Sequence, residues 1–515
     1  MWNAPICIAR SRGSRLTSEK GAIHKDHGGK LAIALVYPNT YWVGMSNLGL
    51  HTLYRALNGH PGIVCERFFT DHPRSVESGR ALSDFPIIAF SVSYELDWIN
   101  AVRILMDNKI ELEAARRAGA IVIAGGTAVT MNPEPACRML DICFLGDGEG
   151  AADMLHHAFT ASASRAEFFE LLEGRDGIYL PARFNPAGNE GGSRHPRLSV
   201  VDPLTSPAYS AVLTDQTAFG DMFLVETARG CPYHCKFCTA RAIYAPFRPV
   251  PVEALLPVLD EAAASGLKLG LVSTSLNNHP QAAELYAEIM ARGLAIAPPS
   301  LRFGMITPEL LEHIRLSRVK GVTLAPETGS EELRRAIGKP IPNETILDDI
   351  ERLIASGIRD IKLYCMVGLP DETLADIDAA VDLIKRIRQG FIKVSRGNRI
   401  IGTLSVNINT FVPKPHSTFE RAAMITVNEA KARIKRLAKG LAGTSNVSVS
   451  FEGPKWAYLQ AVIARGDRGV FGLIHMLALH PENRWQEMLR AWPLNPDYYA
   501  LRQRPEDERL PWEFS

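Results

Sequence analysis

The stretch Met222-Phe-Leu-Val-Glu-Thr-Ala-Arg-Gly-Cys-Pro-Tyr-His-Cys-Lys-Phe-Cys238 decides how the chain is read. Met222–Thr227 reads as a short buried strand, and Ala228-Arg229-Gly230 as the turn that ends it. Cys231, Cys235 and Cys238 then follow as C-x3-C-x2-C, with no fourth cysteine nearby. Thiolates are the usual ligands of iron–sulfur clusters, which most often take four of them. A [4Fe–4S] cluster held by three keeps one iron open to another ligand. A structural zinc site is the alternative, but it asks for four ligands at characteristic spacing. Only His234 is close, and it lies inside the loop. The other cysteines, Cys7, Cys65, Cys137, Cys143 and Cys365, are scattered without a disulfide framework. A cysteine loop at the carboxyl end of a strand sits where parallel α/β sheets and barrels bind ligands.

Strand-like runs recur after this loop: Leu269–Ser275, Leu301–Gly304, Gly321–Glu327, Asp360–Val367 and a run from Leu404. Between them Val252–Ala264, Ala282–Arg292, Asn343–Ser356 and Leu374–Arg388 carry apolar residues at helical spacing. Strand–helix alternation specifies a parallel sheet with helices outside it. Six such units make a partial (β/α)6 barrel with an open side.

Glu226–Cys238 resembles the signature of the radical S-adenosylmethionine (SAM) superfamily, and the resemblance continues for nearly two hundred residues. Gly368-Leu-Pro-Asp-Glu-Thr373 is similar to that family's turn after its fifth strand, and Leu404–His416 to its sixth. The resemblance implies a [4Fe–4S] cluster on Cys231, Cys235 and Cys238 whose open iron chelates SAM. It implies that Phe237 lies against the adenine, with Met366 and Gly368 near it. Glu327 and Ser330 fall where the family contacts the polar end or ribose of SAM, and Ser273 and Ser275 face the same cavity. The ordinary reading of such strand-end residues is turn chemistry. An electron donor such as flavodoxin or ferredoxin is implied as partner.

The amino-terminal third repeats apolar strands, Leu31–Tyr37, Ile87–Ser93, Ala120–Gly126 and Ile142–Leu145. Leu48–Leu57, Leu96–Met106 and Ala151–Phe159 are helical stretches, so a doubly wound, Rossmann-like domain is expected, with its ligand beyond the strand carboxyl ends. The dinucleotide fingerprint G-x-G-x-x-G is absent after the first strand, which argues against NAD. Ser91 and Ser93, Gly125-Gly126-Thr127 and the Gly146-Asp-Gly-Glu149 turn resemble the cobalamin-binding domains that precede many radical SAM cores. The adjacent glycines would let a ligand approach the backbone. The D-x-H-x-x-G motif that supplies a cobalt ligand is missing, since Asp71-His72 puts the histidine in the wrong place.

The expected organisation is an extension (1–29), a cobalamin-binding-type domain (30–160), a linker (161–215), the radical SAM barrel (216–425) and a small α+β carboxyl-terminal segment (426–515). In that segment Asn428–Gly440 reads as a basic helix and Val447–Phe451 as a strand. Trp485, Trp492, Tyr498, Tyr499 and Trp512 are expected to pack onto the core, the alternative being a cover for the barrel's open side. With 57 Lys+Arg against 56 Asp+Glu, the net charge of +1 gives no electrostatic footprint for nucleic acid. No apolar run of about 18 residues suggests a membrane span. Free cysteines and an oxygen-labile cluster fit a reducing cytoplasm. The leading expectation is reductive cleavage of SAM to a 5′-deoxyadenosyl radical, with cobalamin-dependent C-methylation of an unactivated carbon in an unknown substrate. A non-methylating rearrangement or cyclisation is the first alternative. The second is a methylthiotransferase, which needs a further three-cysteine cluster site.

Overall fold

The computed structural model describes residues 19–184, 196–201, 206–398 and 402–513. In the amino-terminal domain β1 (Leu31–Val36), β2 (Ile63–Phe68), β3 (Ile87–Ser91), β4 (Ile121–Gly125), β5 (Ile142–Phe144) and β6 (Ile178–Tyr179) form one sheet, ordered β2-β1-β3-β4-β5-β6. The first five run parallel, and β6 pairs antiparallel with β5. Helices cover both faces: α1 (Tyr41–Gly44), α2 (Leu48–Gly59), α3 (Asp97–Asp107), α4 (Thr127–Met131), α5 (Ala151–Ala161) and α6 (Arg165–Leu172). All six residues of β1 are buried, as a strand covered on both sides requires.

Two features of this domain depart from the expectation. β2 was not anticipated, because Glu66 and Arg67 interrupt its apolar run. Both are buried and paired: Arg67 bonds Glu19 and Glu77, and Glu66 takes His27 and Ser78. The domain also runs past residue 160, since α6 and β6 lie in the stretch assigned to the linker.

The cysteine loop hangs from β7 (Met222–Glu226). β8 (Ala228–Arg229) and β9 (Arg248–Pro249) pair antiparallel and close its base around the short α7 (Ala240–Ile243). β10 (Lys268–Val272) pairs parallel with β7 and with β11 (Ile296–Ala297); α8 (Val252–Ser265) precedes β10, α9 (Ala282–Ala291) lies between β10 and β11, and α10 (Pro308–Leu316) follows β11. β12 (Gly321–Glu327), β13 (Asp360–Val367), β14 (Thr403–Thr410) and β15 (Val447–Phe451) form a second parallel sheet, with α11 (Glu331–Ala336), α12 (Asn343–Ala355), α13 (Leu374–Asn398) and α14 (Val427–Leu441) between them. A parallel bridge from Leu301 to Leu324 links the two sheets. The expected third strand at Leu301–Gly304 is thus corrected to Ile296–Ala297. Leu301 keeps only that bridge because Pro298 and Pro299 remove ladder donors ahead of it. β15, assigned to the carboxyl-terminal segment, is a seventh parallel strand of the barrel.

Period-two alternation separates the two faces of this curved sheet. Val322, Leu324, Ile361, Leu363, Cys365, Leu404, Val406 and Ile408 pack into the helix-side core. The opposite parity carries Thr323, Lys362, Tyr364, Met366, Ser405 and Asn409, which are partly buried, and Asn407, which is buried. The lumen is therefore polar and open, unlike the packed interior of a closed eight-stranded barrel.

Helices α15 (Pro454–Ala464), α16 (Val470–Leu479), α17 (Trp485–Ala491) and α18 (Pro496–Ala500) do not close that lumen. They join the amino-terminal domain's core, where Trp485, Trp492 and Tyr499 are buried beside Trp98 and Val102. Arg103 of α3 donates to the carbonyls of Leu477, Ala478 and His480, the last turn of α16 and its cap. Trp512 is buried separately, donating to Glu420 at 2.7 Å under Arg504. Tyr498 stays about half exposed. Among the described residues no helix is long and apolar enough to cross a membrane.

One carboxylate docks the barrel on the first domain. Asp147, in the turn after β5, is 6% exposed and pairs with Arg229 of β8 at 2.9 Å and Arg248 of β9 at 2.6 Å. Glu149 and Glu226 each add a 2.7 Å pair to Arg229. Burial pushes the Asp147 carboxyl up, but Arg229, Arg248 and the Val201 N–H outweigh it and hold it below its ordinary 3.8. A depressed folded-state value gives stability that is complete above the unfolded-state value and lost as pH falls through the folded one. Asp147→Asn should therefore destabilise the protein by about 3 kcal/mol at neutral pH, the cost of breaking a buried pair. In urea unfolding the gap to wild type should narrow as pH drops below about 4. A gap independent of pH would show that the contact is not electrostatic.

Candidate active site

The cysteine loop is fixed by contacts from successive strand ends. Gly230 opens it at φ 86°, where an added Cβ would fall 2.6 Å from the Tyr244 carbonyl. Thr274, beyond β10, donates to the Gly230 carbonyl at 2.5 Å, and Tyr233 donates to Asn278 at 2.6 Å. The Lys236 N–H bonds the Ile337 carbonyl after α11, and the Lys236 carbonyl accepts from Phe419 in the segment after β14. Gly338, at φ 76°, lets that backbone come within 2.4 Å of its missing Cβ at the His234 carbonyl. Arg302 lies 3.7 Å over the Tyr233 ring, and its Nη1 is 3.7 Å from the Cys235 sulfur.

Cys231, Cys235 and Cys238 are partly or fully exposed, whereas Cys65, Cys137, Cys143 and Cys365 are buried. Burial raises the Cys238 thiol, and the nearby Cys235 and Cys231 sulfurs raise it further. Three soft donors thus share one small region. Among the described residues no three His, Cys, Asp or Glu side chains converge on a single ion. A cubane does not need that convergence, because its three ligated irons are separate atoms. The donor set fits a three-thiolate [4Fe–4S] cluster better than it fits zinc.

Phe237, Met366 and Phe419 gather against Leu333, Ile337, Leu369 and Phe411 in a small apolar cluster beside the loop. Glu327 ends β12 with φ 66°, a left-handed conformation rare for a side chain of its size, after a register shift in the strand. Its carboxylate is buried and held at 2.8 Å by Lys339, whose ammonium also donates to the Ala325 carbonyl. It is near enough to Cys238 to raise that thiol. Glu327, Phe237, Met366 and the three cysteines are thus brought to one side of the barrel.

The other expected SAM positions have local roles. Ser330 caps α11 by accepting from Leu333. Ser273 accepts from the Ser275 N–H, and Ser275 donates to Asn278. Gly368, at φ 84°, gives its N–H to the buried Glu372, which Arg433 holds at 2.6 Å. Lys339, Arg302, Thr274 and Tyr244 were missed. Their signals were weak, because each is a common residue type in a loop whose neighbours only the fold supplies.

The carboxyl edge of the first sheet faces the cysteine loop. Ser91 is buried opposite Gly125 in the β3–β4 register, and Ser93 accepts from Asn47 at 3.1 Å. Gly126, at φ 109°, is required by the sheet itself, since a Cβ there would lie 2.6 Å from the Val92 carbonyl. The Thr127 hydroxyl meets the Tyr244 hydroxyl at 2.5 Å, and Thr239 donates to the Met131 sulfur at 3.6 Å. These contacts seat α4 on α7.

Residues 49–181 match the amino-terminal domain of radical SAM proteins, and residues 225–384 match the radical SAM superfamily. The chain is 29% identical over 440 residues to the protein MJ0966 of Methanocaldococcus jannaschii, covering 85% of this chain and 89% of that protein. The radical SAM methyltransferase TsrM of Kitasatospora setae, solved with cobalamin and a [4Fe–4S] cluster, shares the fold at TM-score 0.57 and 12% identity, over 90% of this chain and 99% of TsrM. The cobalamin-dependent radical enzyme OxsB, solved with aqua-cobalamin and SAM, does so at TM-score 0.53 and 15% identity, over 90% of this chain and 70% of OxsB. A cysteine loop on a partial parallel barrel, behind a doubly wound domain, is thus carried by a member of the radical SAM superfamily.

Proposed function

We propose that this protein is a cobalamin-dependent radical SAM enzyme that methylates an unactivated carbon. The observation that carries the reading is the abutment of α4 on α7, which turns the strand ends of the first domain toward the cysteine loop. TsrM and OxsB, solved with cobalamin, lend support through their shared two-domain fold. When bound, a [4Fe–4S] cluster with SAM supplies a 5′-deoxyadenosyl radical, and cobalamin supplies a transferable methyl group.

The chain's own residues orient and enclose. Cys231, Cys235 and Cys238 would hold the cluster, which with three protein ligands would leave a site for SAM. Phe237 and Met366 give SAM's adenine an apolar wall, and Glu327 offers a buried carboxylate near Cys238. Lys339 pairs with that carboxylate at 2.8 Å and fixes its direction, because breaking a buried pair leaves an uncompensated charge. Ser91, Ser93, Gly125, Gly126 and Thr127 line the edge on which cobalamin would rest. The polar lumen, with Tyr364, Ser405 and Asn409, is where a hydrogen-bonding substrate would enter.

The methylthiotransferase alternative finds no second three-cysteine site among the described residues. Cys65 is packed on one face of the first sheet, and Cys137 and Cys143 on the other. Cys7 lies outside the described residues.

Cys235→Ala is expected to drop iron from about four per chain to a small fraction and to abolish 5′-deoxyadenosine release under anaerobic reductant. Full iron loading and full cleavage in that variant would end the reading. Wild type reconstituted with hydroxocobalamin should keep cobalt through desalting; iron-replete protein without cobalt would remove the methylation half. Lys339→Met should weaken SAM binding roughly tenfold at unchanged iron content, measured by equilibrium dialysis. Unaltered SAM affinity would take Glu327 and Lys339 out of the SAM site.

A further inference from the structure

We propose that Arg302 donates a charge-assisted hydrogen bond to the Cys235 thiolate and so raises the reduction potential of the cluster. The inference rests on the reading of the cysteine loop given above and assigns a tuning role to a residue outside it.

Three observations converge on Arg302. Its backbone is anchored, because Leu301 donates to the Thr323 carbonyl at 2.8 Å and bridges to β12. Its guanidinium is stacked 3.7 Å over Tyr233, inside the loop itself. Its Nη1 is 3.7 Å from the Cys235 sulfur, and among the described residues no carboxylate is paired with it. Arginine is planar and suits stacking and donation at the same time. An arginine that stacks on one loop residue while pointing at the sulfur of another is held for that sulfur. Packing alone would leave the guanidinium free to pair with an acid, as Arg229 and Arg248 do.

The physical consequence has a definite sign. Hydrogen bonds to the sulfurs, net charge and solvent exposure set the potential of an iron–sulfur cluster. Adding one electron makes the cluster more negative, and a nearby cation with an N–H aimed at a thiolate stabilises that state more than the oxidised one. No bond forms or breaks at Arg302. Arg302 acts through Cys235, so its removal should change how hard the cluster is to reduce before it changes how much cluster is bound.

The test is an EPR-monitored titration of anaerobically reconstituted, full-length protein with dithionite as the one-electron reductant. Arg302→Met should lower the midpoint potential by at least a tenfold change in the reduction equilibrium, which is about 59 mV for one electron. Arg302→Lys should lie between it and wild type, since charge is kept and the stacked fork is lost. Tyr233→Leu should move the potential the same way by a smaller amount. If Arg302→Met fails to load iron, Arg302→Gln removes the charge while keeping an N–H donor, and should lower the potential by a smaller amount. A potential unmoved at full iron content overturns the proposal. So does a variant that keeps its potential and loses only SAM affinity, which would make Arg302 a ligand contact. Wild type that binds no iron is a different result, and it removes the cluster reading itself.

Discussion

A loop that must present three thiolates in fixed directions has little structure of its own, so its surroundings have to supply rigidity. Here the decisive constraint is the buried carboxylate of Asp147, on which both strands at the loop's base converge through Arg229 and Arg248. The remaining contacts come from strand ends in turn: Thr274 and Asn278 after β10, Arg302 after β11, Ile337 and Gly338 after α11, and Phe419 after β14. Preorganisation of this kind is what a site needs when the protein orients groups and leaves the difficult chemistry to cofactors. The first domain is therefore part of the scaffold of the cysteine site as well as a neighbour to it.

Much of this was legible in the residues. Apolar runs ended by Pro38 or by small and hydroxyl residues mark β1, β3 and β4, because strands covered on both faces have no polar side to reveal. The triplet Cys231, Cys235, Cys238 and the alternation of strands and helices after it place the loop on a parallel barrel. Leu374–Arg388 reads as helical from its periodicity, and it is the body of α13.

What escaped was decided by tertiary partners. β2 hid behind Glu66 and Arg67, whose burial makes sense only once Glu19, Glu77 and His27 are seen around them. β11 was misplaced by five residues, since two residues of ladder leave almost no pattern to read. Gly126 was assigned to a ligand's approach, yet the Val92 carbonyl already demands it. In the same way Glu327 was recognisable as a strand-end acid, but neither its left-handed backbone nor its pairing with Lys339 could be foreseen from the residues between them.

The sharing of one core by the two ends of the chain bears on how the protein is made. Trp485, Trp492 and Tyr499 complete the apolar layer that begins with Trp98 and Val102, nearly four hundred positions earlier. On the ribosome that sheet emerges with the layer uncovered, and its sealing helices follow nearly four hundred residues later. The nascent chain thus carries an adhesive surface through most of its synthesis, the circumstance in which chaperone capture competes with aggregation.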